Sequence, residues 1–123
     1  MVGASANPSK PSYEIMKTLL AAGFTVIPVN PTETEVLGQR AYPSLEAIDT
    51  PVHIVNVFRR PEQTPEIADA AVKIGARALW LQTGISNEDA ATRAKAAGLM
   101  VVMDACIGAT HAMLRVGRKN SEV

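Results

Sequence analysis

The segment VHIVNVFRRPEQTPEIADAAVKIG, residues 52–75, carries two patterns back to back. Val52 to Phe58 is a β-branched, largely apolar run without clean alternation, as expected for a strand buried on both faces. From Thr64 the pattern becomes helical: Thr64 is placed to cap a helix, Pro65 suits its first position, Glu66 suits the positive end of its dipole, and Gly75 closes it. Arg59 and Arg60 fall in the turn between strand and helix. Outward from this unit the same device repeats. Thr25 to Val29, Ala76 to Gln82 and Leu99 to Met103 read as further strands, and the four starts lie 27, 24 and 23 residues apart. Ser12 to Ala22 places Ile15, Met16, Leu19 and Leu20 on one stripe before Gly23. Ser86 or Asn87 caps another helix, with Glu88 and Asp89 in its first turn and Gly98 as its stop. Pro43 to Ile48 reads as a short helix, and Ala109 to Val116 as a last one before a polar tail.

Recurring strand-helix-strand units require parallel pairing through right-handed crossovers. The predicted fold is therefore α/β, a Rossmann-like open parallel sheet of about five strands with helices on both faces. Its first strand reads as truncated. Gly3 has the character of a turn after a central strand, yet only Met1 and Val2 precede it, where about five residues are usual. The native start is accordingly expected upstream of Met1. Trp80 and Leu81 are expected to pack in a strand, His53 to lie within one, and Met16, Met100, Met103 and Met113 to fill the core or its margin.

A chain of 123 residues with 47% apolar composition is one domain, residues 1–123, large enough to bury a core without disulfide or metal staples. Twelve Lys plus Arg balance twelve Asp plus Glu, which argues against a nucleic-acid or membrane-surface partner held by bulk positive charge. The 4% aromatic content is too low for a base-stacking platform. No apolar run reaches a membrane span, no signal peptide is evident, and the single cysteine, Cys106, cannot make an intramolecular disulfide, so a cytoplasmic protein is expected.

In an open parallel sheet, ligands bind beyond the carboxyl ends of the strands. Four clusters follow strands. Gly3-Ala4-Ser5-Ala6-Asn7-Pro8-Ser9-Lys10-Pro11-Ser12 offers close backbone approach, the hydroxyls of Ser5, Ser9 and Ser12, the Lys10 charge, and a helix N-terminus with free amides. It is equally readable as an ordinary turn with a serine cap. Pro28-Val29-Asn30-Pro31 reads as a rigid wall or a plain turn. Val57-Phe58-Arg59-Arg60-Pro61 brings two guanidinium groups suited to phosphate, one of which can be mere surface charge. Gln82-Thr83-Gly84-Ile85-Ser86 again sets small residues before a helix. The GxGxxG fingerprint and the acid after the second strand are missing, with Asn30 and Pro31 in the acid's place, and so is the P-loop pattern. Two histidines and one cysteine give neither a hydrolytic triad nor metal-ligand spacing.

Taken together, Val2-Gly3-Ala4-Ser5 with Asn7-Pro8 and Lys10-Pro11-Ser12, Val26-Ile27-Pro28-Val29-Asn30-Pro31, Leu37-Gly38 with Ala41-Tyr42-Pro43-Ser44-Leu45, Val57-Phe58-Arg59, and Val101-Val102-Met103-Asp104 resemble the small stand-alone CoA-binding proteins. That family shares its nucleotide fold with the N-terminal domain of the succinyl-CoA synthetase alpha subunit. The resemblance implies coenzyme A across the strand ends. By position Gly3, Ser5, Asn7 and Lys10 would meet phosphates, Asn30 and Pro31 the adenosine end, Val57, Phe58 and Arg59 the adenine or diphosphate, and Gln82 with Gly84 the far side of the cleft. Two departures stand out. The full first strand is missing, and the chain reads Asp104-Ala105-Cys106-Ile107-Gly108 where the family often has Arg before the cysteine and Pro after it.

The resulting expectation is a non-catalytic holder of CoA or acyl-CoA, with homo-oligomerisation or a partner protein left open. An NAD(P)-binding domain or a CoA-ligase fragment is the alternative, and a structural domain with a vestigial cleft a third. Cys106, just after the last strand, is expected to be either a small buried hydrophobe or a thiol within reach of the pantetheine arm.

Overall fold

The computed structural model describes residues 1–107, so the helix expected over 109–116, with His111 and Met113, lies outside the described residues. The elements are α1 (Pro11–Ala21), β1 (Glu35–Val36), β2 (Gln39–Arg40), β3 (Ile54–Val57), α2 (Thr64–Lys73), β4 (Ala78–Leu81), α3 (Glu88–Ala96) and β5 (Met100–Val102). Single 3-10 turns cover Leu45–Ala47 and Pro61–Gln63, the first within the short helix expected there.

Strands β3, β4 and β5 form a parallel sheet in which Val57 faces Leu81 and Trp80 faces Val102. The sheet continues beyond β3 through single bridges, all parallel: Val57 to Val2, Val2 to Val29, and Val29 to Tyr42. The segment expected as a full strand over 25–29 is thus reduced to isolated bridge positions at Thr25 and Val29. Pro28 is the reason, because it has no N–H to give to a ladder; its carbonyl still accepts from Tyr42 N, and N–H donation follows from Val29 to Met1 O and from Asn30 to Tyr42 O. The two-residue stub of the central strand leaves its polar groups satisfied. Val2 N donates to Asn56 O, Val2 O accepts from Phe58 N, Gly3 N donates to Val29 O, and the terminal amine of Met1 donates to Ile27 O at 2.8 Å.

Alternation along the buried strands divides the core. Val55, Val57, Leu79 and Leu81 pack with Ala68 and Ala71 of α2 and with Ala90 and Ala94 of α3. Ile54 and Trp80 pack with Met16 and Leu19 of α1 and with Ile107. Alanines on α2 and α3 let both helices settle close to the branched residues of the sheet. Asn56, wholly buried, donates through Nδ2 to Gln82 Oε1 at 2.9 Å, and the same oxygen accepts from Ile107 N.

Some local expectations change. Asn87 caps α3 as expected, its Oδ1 accepting from Ala90 N. Thr64, however, is inside α2 and buried, its hydroxyl donating to Pro61 O at 2.6 Å, so Pro65 is the second helical residue and not the first. The β1–β2 hairpin was not anticipated: Leu37 at φ 50 and Gly38 at φ 78 make its two-residue turn, and leucine gives no warning of a left-handed conformation. His53 precedes β3 instead of lying within it. Met100 is 72% exposed and contributes nothing to the core.

Candidate functional site

The first loop leaves the central stub at Gly3, whose φ is +86, and passes so close to the next strand end that a Cβ there would stand 2.3 Å from Phe58 O. Only glycine permits that approach. From there the loop organises itself. Ser5 N donates to Ser12 Oγ, Asn7 N to Ser5 Oγ, Ser9 N to Asn7 Oδ1, and Ala6 N to the Glu33 carboxylate at 2.5 Å. Asn30 ties the second cluster to the first, its Nδ2 donating to Ala4 O at 2.9 Å while its Oδ1 accepts from Thr32 N. The loop expected to present open amides to a phosphate already uses those of Ser5, Ala6, Asn7 and Ser9 internally. To an anion the same loop and its neighbours also offer side-chain charge and hydroxyls.

Those side chains converge. A cleft of about 500 Å³ lies at the carboxyl ends of the strands, and Gly3, Ser5, Lys10, Ser12, Asn30, Phe58 and Arg59 of the expected set form its wall. Pro11, Arg60, Pro61 and Ile85 complete it. Arg60 and Ile85 both lie in strand-end clusters without being singled out as ligand residues, and Ile85 is set at the wall where Asp104 folds in the 82–87 segment, its Oδ1 accepting from Gly84 N at 2.6 Å and its N donating to Ile85 O. A second hollow of about 250 Å³ adjoins on the α2 side, between Val2, Val29, Pro31, Leu45 and Ile67, with Glu46 and Glu66 at its rim; Arg59 lines both spaces.

The remaining expected residues stand elsewhere. Asn7 shapes its own turn. Pro31 lines the second hollow. Val57 and Gln82 are buried in the sheet, and Gly84 is held by Asp104. Cys106 is half-buried and is not on the wall of either space. Among the described residues, the ion pairs are made by Arg93, 2.7 Å from Asp69 and 3.1 Å from Asp89, so Lys10, Arg59 and Arg60 take part in none. Also among the described residues, no three His, Cys, Asp or Glu side chains gather to hold a metal, and no helix is long and apolar enough to cross a membrane.

Residues 1–112 match the family described as CoA binding domain. The chain is 44% identical over 115 residues to the uncharacterized protein YneT of Bacillus subtilis, covering 94% of this chain and 85% of that protein. A hypothetical protein from Pyrococcus horikoshii OT3 superposes with a TM-score of 0.88 at 38% identity, over 93% of this chain and 80% of that one. The dinucleotide-forming acetyl-coenzyme A synthetase 1 of Ca. Korarchaeum cryptofilum superposes with a TM-score of 0.75 at 27% identity, over 84% of this chain but only 25% of the enzyme. The chain belongs to the CoA binding domain family, with a Rossmann-like α/β fold. It corresponds to one quarter of the synthetase, so the likeness reaches a single region of that enzyme.

Proposed function

We propose that the protein binds coenzyme A or an acyl-CoA across the carboxyl ends of its strands and acts as a holder without catalysis of its own. The observation that carries the reading is the convergence of Lys10, Arg59 and Arg60 with the hydroxyls of Ser5 and Ser12 on one cleft at the strand ends. A chain of formal net charge zero can hold a polyanion only by such local concentration. The diphosphate lies against Ser5, Lys10 and Arg59, and the adenosine end turns past Arg59 toward Pro31 and the second hollow. That hollow joins apolar walls to carboxylates able to accept from an exocyclic amine. The described wall of the cleft sets cations beside hydroxyls, an arrangement for gripping phosphate. Family membership supports CoA as the anion.

Native mass spectrometry of the protein purified without added ligand tests this. A mass increment of CoA or an acyl-CoA, lost in Arg59→Ala, is the expected result. An increment of NAD or NADP, or binding that survives removal of both Lys10 and Arg59, overturns it.

A further inference from the structure

Of the loop amides that the fold satisfies internally, Ala6 N alone is held by a carboxylate, and that carboxylate, Glu33, comes from 27 residues further along the chain. Its neighbours Ser5, Asn7 and Ser9 donate to neutral oxygens. The turn that delivers Glu33 is fixed to the same loop, since Glu33 N donates to Asn30 O and Asn30 Nδ2 to Ala4 O. Ser5 and Asn30, one on each side of this clasp, both form the cleft wall. A negative charge is thereby fastened one residue away from the wall of a site that otherwise presents Lys10, Arg59 and Arg60. The sequence shows no acid directly after Val29, and the tertiary fold supplies one through the Asn30–Glu33 turn.

We propose that Glu33 is a specificity-determining residue, a fixed charge that weakens binding in proportion to the negative charge of the ligand's phosphates and so narrows the preference for the more highly charged nucleotide. The proposal rests on the CoA reading above. At this spacing, within one Debye length, the repulsion is felt by a bound phosphate in dilute salt and is screened in concentrated salt. Gln at position 33 keeps an oxygen to accept from Ala6 N, so it removes the charge and retains the clasp. Ala removes both.

The test is calorimetric titration of wild type, Glu33→Gln and Glu33→Ala with CoA and with dephospho-CoA, which lacks the 3′-phosphate. Glu33→Gln is expected to bind CoA about three- to ten-fold more tightly than wild type in about 0.05 M salt, with a smaller gain for dephospho-CoA, both gains shrinking in about 0.5 M salt. Glu33→Ala then reports the clasp: affinity below that of Glu33→Gln shows that holding the loop contributes separately from charge. Equal CoA affinities in wild type and Glu33→Gln, or tighter binding by wild type, overturn the role of Glu33 and leave the CoA reading standing. Failure of wild type and both variants to bind either nucleotide, with all three folded by melting temperature, overturns the CoA reading and this proposal together.

Discussion

At the scale of single residues, the closest constraint is at Gly3. A methyl group there meets Phe58 O, and the left-handed backbone adds strain for any other residue. Gly3→Ala is therefore expected to lose about 2 to 4 kcal/mol of stability, read by urea denaturation. Because the relief of that clash must push the first loop away from Phe58 and Arg59, ligand affinity is expected to fall with it. The two arginines differ in how they stand. Arg59 is half-buried and reaches both spaces, while Arg60 is exposed and touches only the larger one. Partial exclusion of water strengthens a charge-assisted contact, so Arg59→Ala is expected to cost roughly 1.5 to 3 kcal/mol of CoA binding and Arg60→Ala less. Calorimetry on both variants checks the order, and a larger loss at Arg60 reverses the assignment.

Among the elements, α3 is held at its start by one side chain with two functions. Asn87 Oδ1 accepts from Ala90 N, and Asn87 Nδ2 donates to Pro61 O at 3.0 Å, joining the helix to the cleft wall. Asn87→Ala is expected to destabilise the fold by about 1 to 2 kcal/mol, measured as a shift in denaturant midpoint. The central stub makes a different prediction. In a chain that begins at Met1, burial holds the terminal ammonium down at about 5, against an ordinary 8.0, so once such a chain is folded the amine is neutral at pH 7. The unfolded chain binds that proton up to its ordinary range. Stability from this group is therefore fully present above pH 8 and is lost as pH falls toward 5, with a slope of at most about 1.4 kcal/mol per pH unit. Melting temperatures of the chain beginning at Met1 are expected to fall between pH 8 and pH 5.5 more steeply than those of the same chain N-acetylated. Parallel profiles for the two would show that the amine is not buried as described.

For the whole molecule, a ligand that binds only the folded state stabilises it by mass action. CoA at 100 times its dissociation constant contributes about 2.7 kcal/mol, seen as several degrees in melting temperature, whereas NAD at equal concentration is expected to leave the transition unmoved. A shift with NAD and none with CoA would contradict the proposed ligand. α1, which carries Ser12 and starts beside Lys10, packs through Met16 and Leu19 on one side of the sheet, while α2 and α3 pack through alanines on the other. Both faces end at the strand tips where the cleft opens.

The sequence alone determined the strand-helix alternation, because apolar runs of the β3 and β4 type and capped helices such as the one after Asn87 are local patterns whose energetics depend on near neighbours. It also determined seven residues of the cleft wall, since in a parallel sheet the residue after a strand is at the ligand edge whatever the details of packing. Tertiary structure decided the rest. Whether Val57 and Gln82 face ligand or core is a question of which side of a strand is covered, and Gln82 is committed inward by Asn56 and Ile107. Whether Pro28 interrupts a strand depends on what its neighbours can donate. Which amides remain available to an anion depends on acceptors far away in the chain, and Glu33 reaches Ala6 only because the Asn30 turn is folded onto the first loop. Such contacts close long loops and are specified jointly by both ends, so neither end announces them in its own sequence.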